Sequence, residues 1–204
     1  MASQTFHNLE QKKKQSIIDA AILEFSSTIP DHINIQNIIK QAKIPRGSFY
    51  QYFKNKEDLY IYIFKYIGQK KQAFFSKEQL FNQKTFIDFI TSMYISSYQF
   101  FIEYPLLYKA GINMMAFKYY EQFDFIKESQ KQSETFFIEL IKKDQKNGLI
   151  KSSIHPMTLT QLILGFLDSK RINTYVENKV SIKEFKQLLN NFLSIIMKGI
   201  ENHV

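Results

Sequence analysis

The sequence predicts an all-α protein of about nine helices, and three observations carry that prediction. Apolar residues recur at three- and four-residue steps along most of the chain, the spacing of a buried helical face. Glycine and proline, 6 and 4 in 204 residues, are too scarce to interrupt long helices often. Helix-start signals stand ahead of the periodic stretches, among them Asn34, Asn55-Lys-Glu-Asp58 and Ser181-Ile-Lys-Glu184.

Residues 1–10 are expected to form a loose arm. The first helix runs from about Gln11 to Ser27, with Ile17, Ala20, Ala21, either Ile22 or Leu23, and Phe25 on its inner face. Lys12, Lys13 and Lys14 open it. Three cations at a helix start oppose the helix dipole, which fits a phosphate-facing role and equally a solvated charge run. Ile35, Ile38, Ile39 and Ala42 form one buried face of a short second helix, with Asn34 as its N-cap. A two-turn helix from about Arg46 to Tyr52 follows. The box at Asn55–Asp58 then opens a longer helix, Lys56 to about Phe75, with Leu59, Ile63, Phe64, Ile67 and Phe74 on one side. Two short helices at an angle, braced by a longer one, are a helix-turn-helix, whose second helix enters the major groove of DNA.

Further along, Phe86, Phe89, Ile90, Met93, Ser97, Phe100 and Phe101 define a helix from about Thr85 to Tyr104, stopped by Pro105. Leu106–Lys118 should hold a short, irregular helix. Ile126, Ser129, Ser133, Phe136, Phe137, Leu140 and Ile141 mark a helix from about Phe123 to Lys146, ended by Asn147-Gly148. A helix from Pro156 to about Glu177 and a last one after the box at Ser181 complete the set. These last two are more apolar than one chain's core needs. Leu159, Leu162, Ile163 and Phe166 on one, with Phe185, Leu189, Phe192 and Ile196 on the other, are expected to pair with their twofold mates as a four-helix bundle. An ordinary intrachain hairpin is the alternative.

Charge supports the helix-turn-helix reading. The net charge is +8, and residues 1–71 carry 11 basic and 6 acidic side chains against 16 and 13 in the remainder. The excess therefore gathers where phosphate must be neutralised. There is no cysteine, which excludes disulfides, thiolate metal sites and a cysteine nucleophile. No apolar run reaches the ~18 residues of a membrane span, and the first residues lack a secretory pattern. A cytoplasmic protein without cofactor or metal is expected. His7, His32, His155 and His203 are scattered, and neither a Gly-rich phosphate loop nor a nucleophile elbow is present, so the chain is not read as an enzyme.

Ile44-Pro-Arg-Gly-Ser-Phe-Tyr-Gln-Tyr-Phe-Lys-Asn-Lys-Glu-Asp-Leu59 resembles the signature of the tetracycline-repressor (TetR) family of transcriptional regulators. With the helix before it, the resemblance covers about the first third of the chain. It departs from the family pattern at Thr28–Ile33, at Lys43 where Gly is usual, and at Pro45 where a Ser or Thr cap is usual. A left-handed residue is expected at Lys43, and Pro45 is read as the first helical position.

What the resemblance implies is a DNA-binding domain over 1–55, joined through the helix from Lys56 to an effector-binding and dimerisation domain over 56–204. Candidate DNA-binding residues are Asn34, Lys43, Arg46, Gly47, Ser48, Tyr50, Gln51, Tyr52 and Lys56. The fork of Arg46 suits guanine or phosphate, and Gln51 suits adenine. Gly47 lets the backbone approach the groove. Tyr52, ahead of Tyr50, and Lys56 are assigned to phosphate, with Phe49 and Phe53 in the core. A small apolar or weakly polar effector, with a fatty-acyl compound as one candidate, is expected among Met93, Ser97, Tyr98, Phe101, Met114, Met115, Phe137 and Gln161. The leading function is a homodimeric repressor on a near-palindromic operator in double-stranded DNA, released by that effector. The alternative is a helical ligand-binding or interaction protein without effector-controlled DNA release.

Overall fold

The computed structural model describes residues 2–77, 84–115, 124–166 and 169–200. They form α1 (Gln4–His7), α2 (Gln11–Ser27), α3 (Ile35–Ala42), α4 (Arg46–Tyr52), α5 (Lys56–Lys77), α6 (Phe86–Glu103), α7 (Pro105–Met115), α8 (Asp124–Lys146), α9 (Pro156–Phe166), α10 (Ser169–Glu177) and α11 (Ile182–Ile200). No strand occurs among the described residues, and no helix there is long and apolar enough to cross a membrane. The helix expected over about 156–177 appears as α9 and α10, with residues 167 and 168 outside the description. The expected helix to Lys118 is α7, a regular helix over its described length. Residues 116–118 lie outside the description.

Two compact units divide the chain, residues 1–73 with 100–122, and residues 74–99 with 123–204. The division differs from the expected break at 55/56. The start of α5 and the whole of α7 belong with the helix-turn-helix, for a physical reason. α2 buries Ile17, Ile18, Ala21, Ile22 and Phe25, a face too wide for α3 alone, and α7 packs against it as well as α3. Ile22, rather than Leu23, is the inward residue. Asn113 of α7 donates its amide to the carbonyls of Phe25 and Ser26 at 3.0 and 3.1 Å, satisfying the open end of α2. Tyr60 of α5 donates to the Met114 carbonyl at 2.8 Å.

In the second unit, Thr85 caps α6, accepting from Asp88 N–H at 3.1 Å. Buried Asp144 of α8 accepts from Phe86 N–H at 2.7 Å. Gly148, at φ +75°, ends the α8 segment as predicted, and the Asp144 carbonyl accepts from Leu149 N–H at 2.9 Å. Phe89 meets Phe136 and Phe137 edge-on at 5.0 and 5.8 Å between ring centroids. The capping box before α11 is formed in both directions. Ser181 N–H donates to Glu184 at 2.8 Å, and Glu184 N–H to Ser181 Oγ at 3.2 Å.

The residues expected at a twofold interface differ among themselves in burial, with Leu162 exposed. Leu159, Ile163, Phe185, Leu189 and Phe192 are buried within the single chain, so they have no surface to offer a partner. Ile196 is half-buried, and the Phe166 side chain lies outside the description. The exposed apolar residues of α9 and α11 are Leu162, Leu188 and Ile195.

Candidate nucleic-acid interface

The first helix of the motif, α3, is held from both ends. Its N-cap Asn34 accepts from Gln36 N–H at 2.9 Å, so this side chain is committed to the helix start. Behind it lies Glu24, a buried carboxylate of α2. It accepts from Asn34 N–H at 2.9 Å and from the Asn37 amide at 3.2 Å. Sequence reasoning missed Glu24 because a lone acid on a helix reads as solvated. At the other end Lys43 stands at φ +53°, ψ +44°, the left-handed conformation expected there. Its N–H donates to the Lys40 carbonyl and that of Ile44 to the Ile39 carbonyl, closing the tight turn.

Pro45 is the N-cap of α4 and not its first helical residue. With φ −63° and ψ +145° it is extended, and its carbonyl accepts from Phe49 N–H. From there α4 presents two faces. Phe49 and Tyr52, three residues apart, turn inward with Phe53 beyond them. Arg46, Gly47, Tyr50 and Gln51 are exposed, and Ser48 is half-buried. A Cβ built on Gly47 meets nothing within 4 Å, so nothing in the chain's own packing requires glycine there.

The two tyrosines expected at phosphate, Tyr52 ahead of Tyr50, differ in burial in the opposite order. Tyr52 is 4% exposed, against 45% for Tyr50, and the Tyr52 ring packs at 5.9 Å from Phe6. The helical phase with Phe49 already carried this signal. Tyr50 is therefore the tyrosine whose side chain faces solvent. Lys56 is half-buried at the start of α5 and donates to the Asp31 carbonyl at 3.0 Å, so its ammonium is anchored to the connector before α3.

The arm is also different from expectation. Residues 3–8 form a capped turn of helix, with Ser3 Oγ accepting from Phe6 N–H at 3.3 Å. Ser3 N–H donates to the Tyr52 carbonyl at 2.9 Å, and Ser3 Oγ donates to the Gln51 carbonyl at 2.6 Å. Phe6 is fully buried, with ring centroids 4.8 Å from Phe53 and 4.9 Å from Tyr62. Lys14, of the basic triplet, donates to the His7 carbonyl at 2.7 Å. A cavity of about 420 Å³ lies beside this arm, lined by residues of α1 and α5 that include His7, Tyr62, Lys65 and Tyr66.

The eight effector candidates divide between the two units. Phe101, Met114 and Met115 belong to the first, and Met93, Ser97, Tyr98, Phe137 and Gln161 to the second. Several are already engaged. Tyr98 donates to the Val180 carbonyl at 2.6 Å and stacks on Phe185 at 4.1 Å. Phe137 packs among Phe86, Phe89 and Phe136. Met115 and Gln161 are exposed.

Residues 17–63 match the family model for bacterial regulatory proteins of the tetR family. The segment runs from inside α2, through the two short helices, into α5. Over 202 residues the chain is 26% identical to the fatty acid metabolism regulator protein of Bacillus subtilis strain 168, covering 95% of this chain and 98% of that protein. A TetR-family transcriptional regulator from Chloroflexus aurantiacus J-10-FL superposes with a TM-score of 0.79 at 21% identity, over the whole of both chains. The regulator FadR from Bacillus subtilis, solved in complex with stearoyl-CoA, gives a TM-score of 0.71 at 22% identity, over 92% of this chain and 99% of that one. These structural likenesses are of fold. Residues 17–63 thus carry the segment that bacterial regulatory proteins of the tetR family share, while the likeness over the rest of the chain is one of fold.

Proposed function

We propose that this protein is a transcriptional regulator that acts as a homodimeric repressor on a near-palindromic operator, and that a long-chain acyl thioester releases it. The observation that carries the DNA reading is the face of α4. Arg46, Gly47, Tyr50 and Gln51 are exposed on a helix whose opposite side, Phe49 and Tyr52, is buried. Each exposed residue has work in a groove. Arg46 and Gln51 can pair bidentately with base edges, Tyr50 can donate to phosphate, and Gly47 permits close backbone approach. Lys43, exposed on the turn, adds a cation. A dimer sets two such helices about one DNA turn apart, ~34 Å, which is why the operator should be near-palindromic. Leu162, Leu188 and Ile195, outward on the last helices, supply apolar surface for the twofold contact.

The effector class is supported by the relatives. One is named for fatty acid metabolism, and one was solved with stearoyl-CoA bound. Release requires that the ligand bind the DNA-incompetent state more tightly than the competent one. Duplexes selected from a random library, followed by fluorescence polarisation on the consensus, test both halves. The expected result is a palindromic consensus, release by stearoyl-CoA, and no release by coenzyme A alone. Tight stearoyl-CoA binding with the operator still held would overturn effector control and favour an unregulated DNA binder. Absence of any consensus would overturn the DNA reading itself.

A further inference from the structure

The recognition helix α4 is seven residues long, too short to be stable by its own hydrogen bonds. Its last carbonyls need partners, and Phe53, its C-cap, is extended and not left-handed. No glycine turn folds back to satisfy them. The partners come instead from the other end of the sequence. Ser3 donates its N–H to the Tyr52 carbonyl and its hydroxyl to the Gln51 carbonyl. Three residues on, Phe6 fills the space between Tyr52, Phe53 and Tyr62. Ser3 also caps α1, so one residue fixes the start of one helix and the end of another.

We infer that the segment Ser3–Phe6 is a positioning element for DNA reading, with Ser3 a specificity-determining residue that touches no base. The inference rests on the proposed DNA reading. The carbonyls it holds belong to Gln51 and Tyr52, next to exposed Tyr50, so it fixes the last turn of α4. Arg46 stands at the opposite end of that helix, started by the Pro45 carbonyl and the left-handed turn at Lys43. The two halves of the reading surface therefore have separate supports. Loosening the C-terminal half should blur what Gln51 reads and leave what Arg46 reads intact.

The full-length chain as wild type, Ser3→Ala and Ser3→Thr, each taken through selection from a random duplex library, tests this. Ser3→Ala should bind the wild-type consensus about fivefold more weakly, the scale of one or two lost hydrogen bonds. Base preference should relax at some positions of each half-site and persist at those that Arg46→Ala erases. Ser3→Thr, which keeps the hydroxyl, should restore the wild-type pattern. A uniform loss across all positions, no change at all, or failure of Ser3→Thr to restore the pattern would overturn the inference. A wild-type protein that yields no consensus overturns the DNA reading and this inference with it, an outcome distinct from an intact wild-type consensus that Ser3→Ala leaves untouched.

Discussion

At the scale of single residues, the interface pairs positions the fold needs with positions it does not. Gly47 is of the second kind, since a methyl group there meets nothing in the chain. Alanine also favours a helix over glycine by up to ~1 kcal/mol. Gly47→Ala should therefore leave thermal unfolding unchanged or slightly raised while weakening operator binding, and a melting curve beside a polarisation titration separates the two effects. Glu24 is of the first kind. Its carboxylate answers Asn34 N–H and the Asn37 amide in a buried setting. Glu24→Ala leaves those donors without an acceptor and should cost about 2 kcal/mol, measured by urea denaturation. Glu24→Gln, which keeps one acceptor oxygen, should cost less.

Among the elements, what was legible in the sequence was whatever a local pattern encodes. The helix-turn-helix, the left-handed turn at Lys43, the stop at Gly148 and the box at Ser181 all depend on residues within a few positions of one another. What was not legible depends on distant partners. Ser3 answers Gln51 from 48 positions away, and Asp144 caps α6 from 58 positions away. Neither can be read from spacing. Spacing alone also gives no way to tell an effector's neighbours from core, since aromatic residues at helical spacing are as often each other's partners as a ligand's. The α11 box also makes a prediction about pH. Hydrogen bonds from the Ser181 hydroxyl, and then from its backbone N–H, hold the Glu184 carboxyl below its ordinary value of 4.5. A depressed carboxyl contributes stability above the unfolded pKa, and this is lost as pH falls through the folded value. The difference in melting temperature between wild type and Ser181→Ala should accordingly be full near neutral pH and shrink below about pH 4.5 as the box protonates.

For the whole molecule, the proposed dimer rests on the exposed apolar residues of the last helices. Ile195 is 73% exposed, with Leu188 one heptad before it on α11 and Leu162 on α9. Ile195→Glu should convert the proposed dimer to monomers without unfolding the chain, as light scattering coupled to gel filtration would show. Operator affinity should fall with it, because a single recognition helix reads only a half-site. A dimer that survives Ile195→Glu would place the twofold contact elsewhere.

The packing of α7 against α2 reaches beyond stability. Residues 100–122 complete the unit that begins at residue 1, and Asn113 closes the end of α2 from within that return segment. The unit that holds the helix-turn-helix is thus not a cassette. A single crossover at any point between residues 73 and 100 would join one parent's α2 to another parent's α7. Recombination could exchange operator preference between such regulators cleanly only by moving two separate stretches of gene together, or by confining the exchange to the few exposed positions of α4.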